Sequence, residues 1–233
     1  KLKLDFSASY IMQKDQNMVN QGIYSNPLVS AYLFPRGDDL EMVRAFERYD
    51  ATSKINKQYW PQGEGDYRLQ NPYWIAYRNL KNNDKKRYMF SGGVSYDILD
   101  WLNVAGRVRI DNSVNDYTEK LYASTNETLS GKQGNYGITT TKEYQTYADA
   151  LVNVNKRFND FSLVANIGAS ISDMKSDAMK VSGPLRENGI PNVFNVFNID
   201  DVKRSTEQIG WQEQTQSLFA SAEIGWKSMY YLT

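Results

Sequence analysis

Hydrophobic and polar residues alternate along six stretches of the chain with the period of two that is typical of β-strands. These stretches are residues 2–12, 88–96, 102–111, 144–155, 161–172 and 217–226. A seventh stretch begins at Tyr230 and includes the last residues of the sequence. In each stretch the apolar side chains share one face and the polar side chains share the other. The pattern therefore predicts an all-β fold of about seven antiparallel strands.

The connections between the predicted strands alternate in length. Short turns follow the second, fourth and sixth strands, and long segments at about residues 14–87, 115–142 and 175–216 follow the others. Outer-membrane barrels separate short periplasmic turns from long outer loops in this way. Aromatic residues also cluster at the short-turn end, as a belt at a membrane interface requires; they are Tyr96, Trp101, Phe158, Phe161 and Trp226. We therefore predict a large transmembrane β-barrel, although a β-sandwich gives the same alternation.

Composition removes several classes of function. The 27 basic and 27 acidic residues give a formal net charge of zero, whereas nucleic-acid-binding domains normally carry a basic surplus. The chain has no His and no Cys, so it lacks the usual zinc, haem and thiol ligands and the Ser–His and Cys–His catalytic pairs. No apolar run approaches the 18 residues of a transmembrane helix. We expect no cofactor and no metal site.

The polar faces of the predicted strands carry charged and amide residues that we expect to face a lumen: Arg107, Arg109, Asp149, Asn153 and Glu223. Paired carboxylates can hydrolyse glycosides. Polar residues on the inner wall of a barrel are the norm, however, and opposite charges there form salt bridges or remain solvated. The sequence therefore predicts a wet barrel wall and a protein that is not an enzyme.

The first long segment, residues 14–87, is predicted to be a long outer loop. Loops of this length are uncommon unless they carry structure or function. It contains aromatic residues interleaved with polar ones, and a sugar ring can stack on such aromatic faces while its hydroxyls form hydrogen bonds. The candidate contacts with a substrate or a lid are Trp60, Tyr67, Arg68, Tyr73 and Trp74. The alternative is that these side chains pack the loop onto its neighbours.

Short motifs around this loop resemble a known family. Gln70-Asn71-Pro72-Tyr73-Trp74 is followed by Asn82, Asp84-Lys85 and Arg87, and then by Asp100-Trp101-Leu102 with Gly106-Arg107. This order of motifs resembles the SusC/RagA family of TonB-linked outer-membrane transporters of Bacteroidetes. The stretch from Phe219 to Thr233 is similar to the segment just ahead of the family's ARNDW motif.

The resemblance implies a 22-stranded barrel, an N-terminal plug, a TonB box and a SusD-like lipoprotein that covers the barrel as a lid. We therefore expect residues 1–233 to be an internal part of a Gram-negative outer-membrane transporter whose plug and other strands lie elsewhere in the same polypeptide. The implied function is TonB-dependent import of a large nutrient, and the loop aromatics favour an oligosaccharide slightly over a peptide. A passive porin and a soluble carbohydrate-binding β-sandwich are the alternatives.

Overall fold

The computed structural model describes residues 1–18, 22–61 and 70–233. In chain order its elements are β1 (Leu2–Gln16), α1 (Pro27–Leu33), α2 (Leu40–Arg44), β2 (Glu47–Asp50), β3 (Ile55–Gln58), α3 (Pro72–Arg78), β4 (Asn79–Leu99), β5 (Leu102–Tyr122), β6 (Gly134–Phe158), β7 (Phe161–Pro184), a 3₁₀ turn (Val196–Asn198), β8 (Ser205–Trp226) and β9 (Tyr230–Leu232). Seven strands form one antiparallel sheet in the order β1-β4-β5-β6-β7-β8-β9, and β2 and β3 form a separate hairpin.

The predicted number of strands and the predicted faces are confirmed. Residues opposite one another in an antiparallel pair point to the same side of the sheet. Val104 lies opposite Val152, which lies opposite Ile167, so these apolar side chains share one face. Arg107 lies opposite Asp149 on the other face. The register therefore joins the apolar residues of all the long strands into one surface.

The predicted ends of the strands were wrong at the side of the long connections. The second connection spans residues 123–133 instead of the predicted 115–142, and the third spans 185–204 instead of 175–216. The first connection spans 17–78 instead of 14–87. At this side the strands continue through pairs of polar residues, so apolar and polar positions do not alternate there. Thr140 donates a hydrogen bond to Asp116 across β5 and β6 at 2.8 Å, and Lys81 lies 3.4 Å from Glu119 across β4 and β5. The apolar period ends before the hydrogen-bonded strand does.

Buried apolar residues lie mainly at the end of the sheet that carries the long connections. One group surrounds the first connection and the start of the second: Val43, Trp60, Trp74, Ile75, Leu121 and Ala123. A second group lies where the β7–β8 connection packs on β6 and β7: Val181, Leu185 and Ile199. Within the described ranges, no helix has the length and apolar character needed to span a membrane.

Candidate functional site

One face of the seven-stranded sheet carries apolar side chains that none of the described elements covers. We call it the outer face, and the opposite one the inner face. Ile167 is 62% exposed although both neighbouring strands are present, and Leu218 is 89% exposed. Val104 and Leu163 are partly exposed as well. The second layer that a β-sandwich would place on this face does not occur in the described part of the chain.

The apolar residues of the outer face form a band that crosses the strands obliquely. The register leads from Leu218 on β8 through five strand pairs to Leu4 on β1. On β1, however, the apolar residues continue eight positions further, to Met12. Eight positions correspond to about 27 Å along the strand and five strand spacings to about 24 Å. The limit of the band is thus inclined by roughly 48° to the rows of paired residues, close to the tilt of about 45° of transmembrane strands.

The height of this apolar band agrees with the same geometry. On β7 the band runs from Phe161 to Ile171, which is about 34 Å along the strand at about 3.4 Å per residue. Projected with the inclination above, it becomes about 23 Å high, and transmembrane barrels carry an apolar band about 25 Å high. At its short-turn end, Phe158, Phe161 and Trp226 form one row of the register on the outer face. They stand where the aromatic belt was predicted.

The inner face is polar and lines a cavity of about 1020 Å³. Arg107 Nε lies 3.1 Å from both carboxylate oxygens of Asp149, and Arg107 Nη2 lies 3.1 Å from Oδ2. The Asp149 side chain is only 2% exposed, whereas that of Arg107 reaches into the cavity. Arg109 lines the same cavity. The structure therefore brings these three predicted lumen residues together.

The other two predicted lumen residues lie apart from this pair, on the same face. Asn153 Nδ2 donates to Asn103 Oδ1 at 3.1 Å, and Asn103 Nδ2 donates in turn to Asp97 at 2.7 Å and Ser95 at 2.9 Å. Glu223 lies on β8, opposite Val164. Cross-strand hydrogen bonds of this kind satisfy polar side chains without a ligand. Around Asn153 the inner wall is therefore built from matched polar neighbours, whereas the cross-strand partner of Glu223 is apolar.

An apolar row interrupts the inner face, and the sequence pattern did not single it out. Ala105, Leu151, Gly168 and Phe219 are consecutive partners across β5, β6, β7 and β8. The Phe219 ring covers the space that a side chain at position 168 would occupy, and Leu151 borders it. In the sequence this row was visible only as apolar residues at two positions, Leu151 and Phe219, where the alternation predicts polar ones. Only the register between the strands shows that these two positions lie close together.

Replacing Gly168 with Ala should destabilise the folded protein by about 1–3 kcal/mol, the usual cost of an extra methyl group in a filled site. The new methyl would lie 2.5 Å from the Phe219 ring and 2.8 Å from Leu151, so both side chains would have to rotate. Gly92→Ala is the matched control, because its methyl would meet the Phe6 ring at an ordinary 3.4 Å. Urea unfolding of the full-length protein in detergent measures both variants. Equal stability of the two would contradict the packing of Phe219 on Gly168.

The candidate residues of the first connection have different surroundings. Trp74 is fully buried, and its indole N–H donates to Thr125 Oγ1 at 2.9 Å. Trp60 is also buried and packs against the ring of Phe34. Tyr73 is half-buried and stacks between neighbouring rings of the same connection. Tyr67 and Arg68 lie outside the described residues. In this structure the two tryptophans therefore pack the first connection onto its neighbours.

The asparagine of the Asn71-Pro72-Tyr73-Trp74 motif joins the elements of the first connection. Asn71 is fully buried and caps α3, accepting a hydrogen bond from the backbone N–H of Tyr73 at 2.9 Å. Its side-chain amide donates to the carbonyls of Val43 at 2.8 Å and Tyr59 at 3.0 Å. One side chain therefore ties α3 to α2 and to the β2–β3 hairpin.

An ion pair fixes the other end of α3. Arg78 donates from Nε and Nη2 to the two carboxylate oxygens of Glu47, each at 2.8 Å. These hydrogen bonds raise the pKa of Arg78 above its ordinary value. The guanidinium also lies 5.2 Å from the centre of the Tyr122 ring at the end of β5. Helix α3, the hairpin and the sheet are thereby held together.

The three long connections pack against one another. The backbone N–H of Ala123, in the second connection, donates to the side chain of Asn192 in the third at 2.7 Å. The backbone N–H of Gln58 in the first donates to Ser124 Oγ at 2.8 Å. The Phe194 ring in the third connection packs against the Tyr122 ring at the end of β5, tilted by 59°, with ring centres 4.9 Å apart. The connections therefore form a folded cap at one end of the sheet, which we call the loop cap.

This sheet geometry recurs in solved transporter structures. A structure of the RagAB peptide transporter matches 99% of this chain with a TM-score of 0.69 and 11% sequence identity, over 25% of its own chain. The chain therefore has the fold of a segment of that transporter, an antiparallel β-barrel segment. Structures of the RagAB peptide importer in its closed-closed and open-open states match with TM-scores of 0.66 at 10% and 11% identity, again over 99% of this chain.

The barrel segment spans about a quarter of the length of these solved chains, 24% and 25%. No family model and no curated protein sequence matches it. At 11% identity the likeness shows the fold alone. It places the seven strands side by side in the wall of a large antiparallel barrel.

Proposed function

We propose that this chain is part of the barrel wall of a SusC/RagA-family TonB-dependent transporter in the outer membrane of a Gram-negative bacterium. The observation that carries the proposal is the oblique apolar band on the outer face. Its inclination and its height, about 23 Å, suit strands tilted through a bilayer. The polar inner face, the likeness to the RagAB structures and the motifs between Gln70 and Arg107 support the same function.

The barrel would be completed by other strands of the same polypeptide. In the described structure, β1 pairs only with β4, and β8 pairs with β9 only between Ile224 and Trp226. Unpaired backbone groups of a strand edge cannot remain exposed to hydrocarbon. A plug from the same polypeptide would fill the lumen and connect the transporter to TonB. The loop cap would contact a SusD-like lipoprotein lid.

Transport would rest on binding and movement of the plug. The cargo would be held between the loop cap and the lid, and a pull by TonB on the plug would open a path along the inner face. The Arg107–Asp149 pair would keep this wall charged and wet.

The proposed cargo is a large nutrient of the oligosaccharide or peptide class. The sequence favoured an oligosaccharide through its loop aromatics. Trp60 and Trp74, however, lie inside the loop cap and present no free ring face in this arrangement. Tyr67, Arg68 and Tyr73 remain candidates for contact with cargo or lid. The similar solved structures are named as transporters of peptide.

The test uses the full-length polypeptide that contains this chain. We expect it to be extracted from membranes only with detergent, to co-purify with a lipoprotein, and to import labelled oligosaccharides or peptides only in cells with functional TonB. Extraction without detergent would instead support the soluble β-sandwich. Uptake that continues without TonB would support a passive porin. Uptake of one labelled class and not the other identifies the cargo.

A further inference from the structure

On β4, β5 and β6, outer-face residues in two rows of the register lie just beyond the apolar band, on the side of the loop cap. In the first row Tyr88 lies opposite Asn112, which lies opposite Tyr144. In the second row Val114 lies between two lysines, its partners on β4 and β6. These lysines are Lys86 and Lys142. We call the six residues the lysine–tyrosine patch. It lies on three central strands, so both neighbours of its middle strand are present.

The two tyrosines are suited to the edge of a bilayer. Tyr88 and Tyr144 are exposed on the outer face, and the Asn112 amide donates to the Tyr88 hydroxyl at 3.0 Å. A tyrosine ring has an apolar body and a polar tip, so it prefers the headgroup level. The Phe90 and Ile110 side chains lie one row deeper in the band. The patch therefore stands where hydrocarbon gives way to headgroups.

The lysines lie one row further out and are free to bind an anion. Both Lys86 and Lys142 are exposed, and neither forms an ion pair with any residue in the described ranges. Their backbones are two strand spacings apart, about 10 Å, with only the small apolar Val114 between them. Two flexible ammonium groups at this separation can reach one phosphate from both sides.

The acidic residues nearby have other neighbours. Asp177, opposite Lys142, lies 3.2 Å from Lys175. Asp116 accepts the hydrogen bond from Thr140. Asp84 lies between Lys14 on β1 and Asp116 on β5 in the register. None of these carboxylates forms an ion pair with Lys86 or Lys142 in the part of the chain that the structure describes.

We propose that the lysine–tyrosine patch binds the phosphate of an anionic lipid in the membrane leaflet next to the loop cap. The inference rests on the proposed function, because it requires the apolar band to lie in a bilayer. The acyl chains would follow the band past Phe90 and Ile110, and the tyrosine hydroxyls would meet the headgroup. The lipid would thereby mark the level at which the wall leaves the membrane.

The test measures lipid retained by the full-length protein in vesicles of phosphatidylcholine doped with phosphatidylglycerol. We expect Lys86→Gln/Lys142→Gln to weaken phosphatidylglycerol retention roughly 30-fold, since each lysine near an anionic surface contributes about fivefold. Native mass spectrometry of the extracted protein counts the bound lipids. Inorganic phosphate in excess should not displace the lipid, whereas displacement would show a site for free phosphate and overturn the proposal.

The control is Lys85→Gln/Lys132→Gln, which removes the same charge. Lys85 is the neighbour of Lys86 on the same strand but lies on the inner face, and Lys132 lies in the β5–β6 connection. We expect the control to retain phosphatidylglycerol like the wild type. Equal retention by both variants, or equal loss, would overturn the lipid site. A wild-type protein that does not enter vesicles at all would instead overturn the proposed function.

Discussion

Arginine in place of Ile167 should cost the membrane-inserted protein about 2–4 kcal/mol, the range for a cation at the midplane of a transmembrane barrel. Ile167 lies near the middle of the apolar band on β7 and is opposite Val152, so Val152→Arg should act in the same way. A guanidinium there would have to leave water for hydrocarbon. Folding of the full-length protein into vesicles at graded urea concentrations, followed by the shift in gel mobility, measures the effect.

The matched controls are the neighbouring residues on the opposite face. Asn166→Arg and Asn153→Arg place the same charge one residue away, but toward the polar inner face. Asn166 donates to Ser221 at 3.2 Å and Asn153 to Asn103 at 3.1 Å, so each control loses one hydrogen bond, about 1 kcal/mol. Insertion should remain close to that of the wild type. Equal damage on both faces would disprove the assignment of the outer face to lipid.

Removing the Trp74 side chain should release the loop cap. Trp74→Ala leaves a large cavity at a fully buried site and deprives Thr125 of its donor, so we expect a loss of about 3–5 kcal/mol in the stability of residues 17–78. Trp74→Phe, which keeps most of the apolar volume, should lose less. Limited proteolysis and hydrogen exchange of the first connection measure the change.

This experiment also separates a structural role of Trp74 from a role in cargo binding. Tyr32→Ala is the control, because Tyr32 in α1 is exposed and its removal leaves no cavity. If Trp74 supports the loop cap, cargo affinity falls together with protease resistance, and the control changes neither. A Trp74→Ala variant that loses affinity while its first connection stays protected would instead indicate direct contact with cargo.

The sequence did not predict most of the contacts within the loop cap. The interleaved aromatic and polar residues suggested a ligand site, yet the same composition serves to pack a long connection. What distinguishes the two is whether a ring face is free, and that depends on contacts distant in sequence. Trp74 is buried, and the partner of its indole N–H, Thr125, lies 51 residues away in the sequence. The motif around Asn71 was visible in the sequence, but the hydrogen bonds by which Asn71 joins α2, α3 and the hairpin were not.

By itself the sequence determined the strands, their two faces and the alternation of short and long connections. Side chains on a strand point alternately to opposite sides, so a period of two specifies these features locally. Only the tertiary structure decided how far each strand extends and how the faces join, because a ladder in water needs hydrogen bonds but no apolar residues. It also decided the inclination of the apolar band, which follows from the register between strands. Register is a relation between segments, and no single segment contains it.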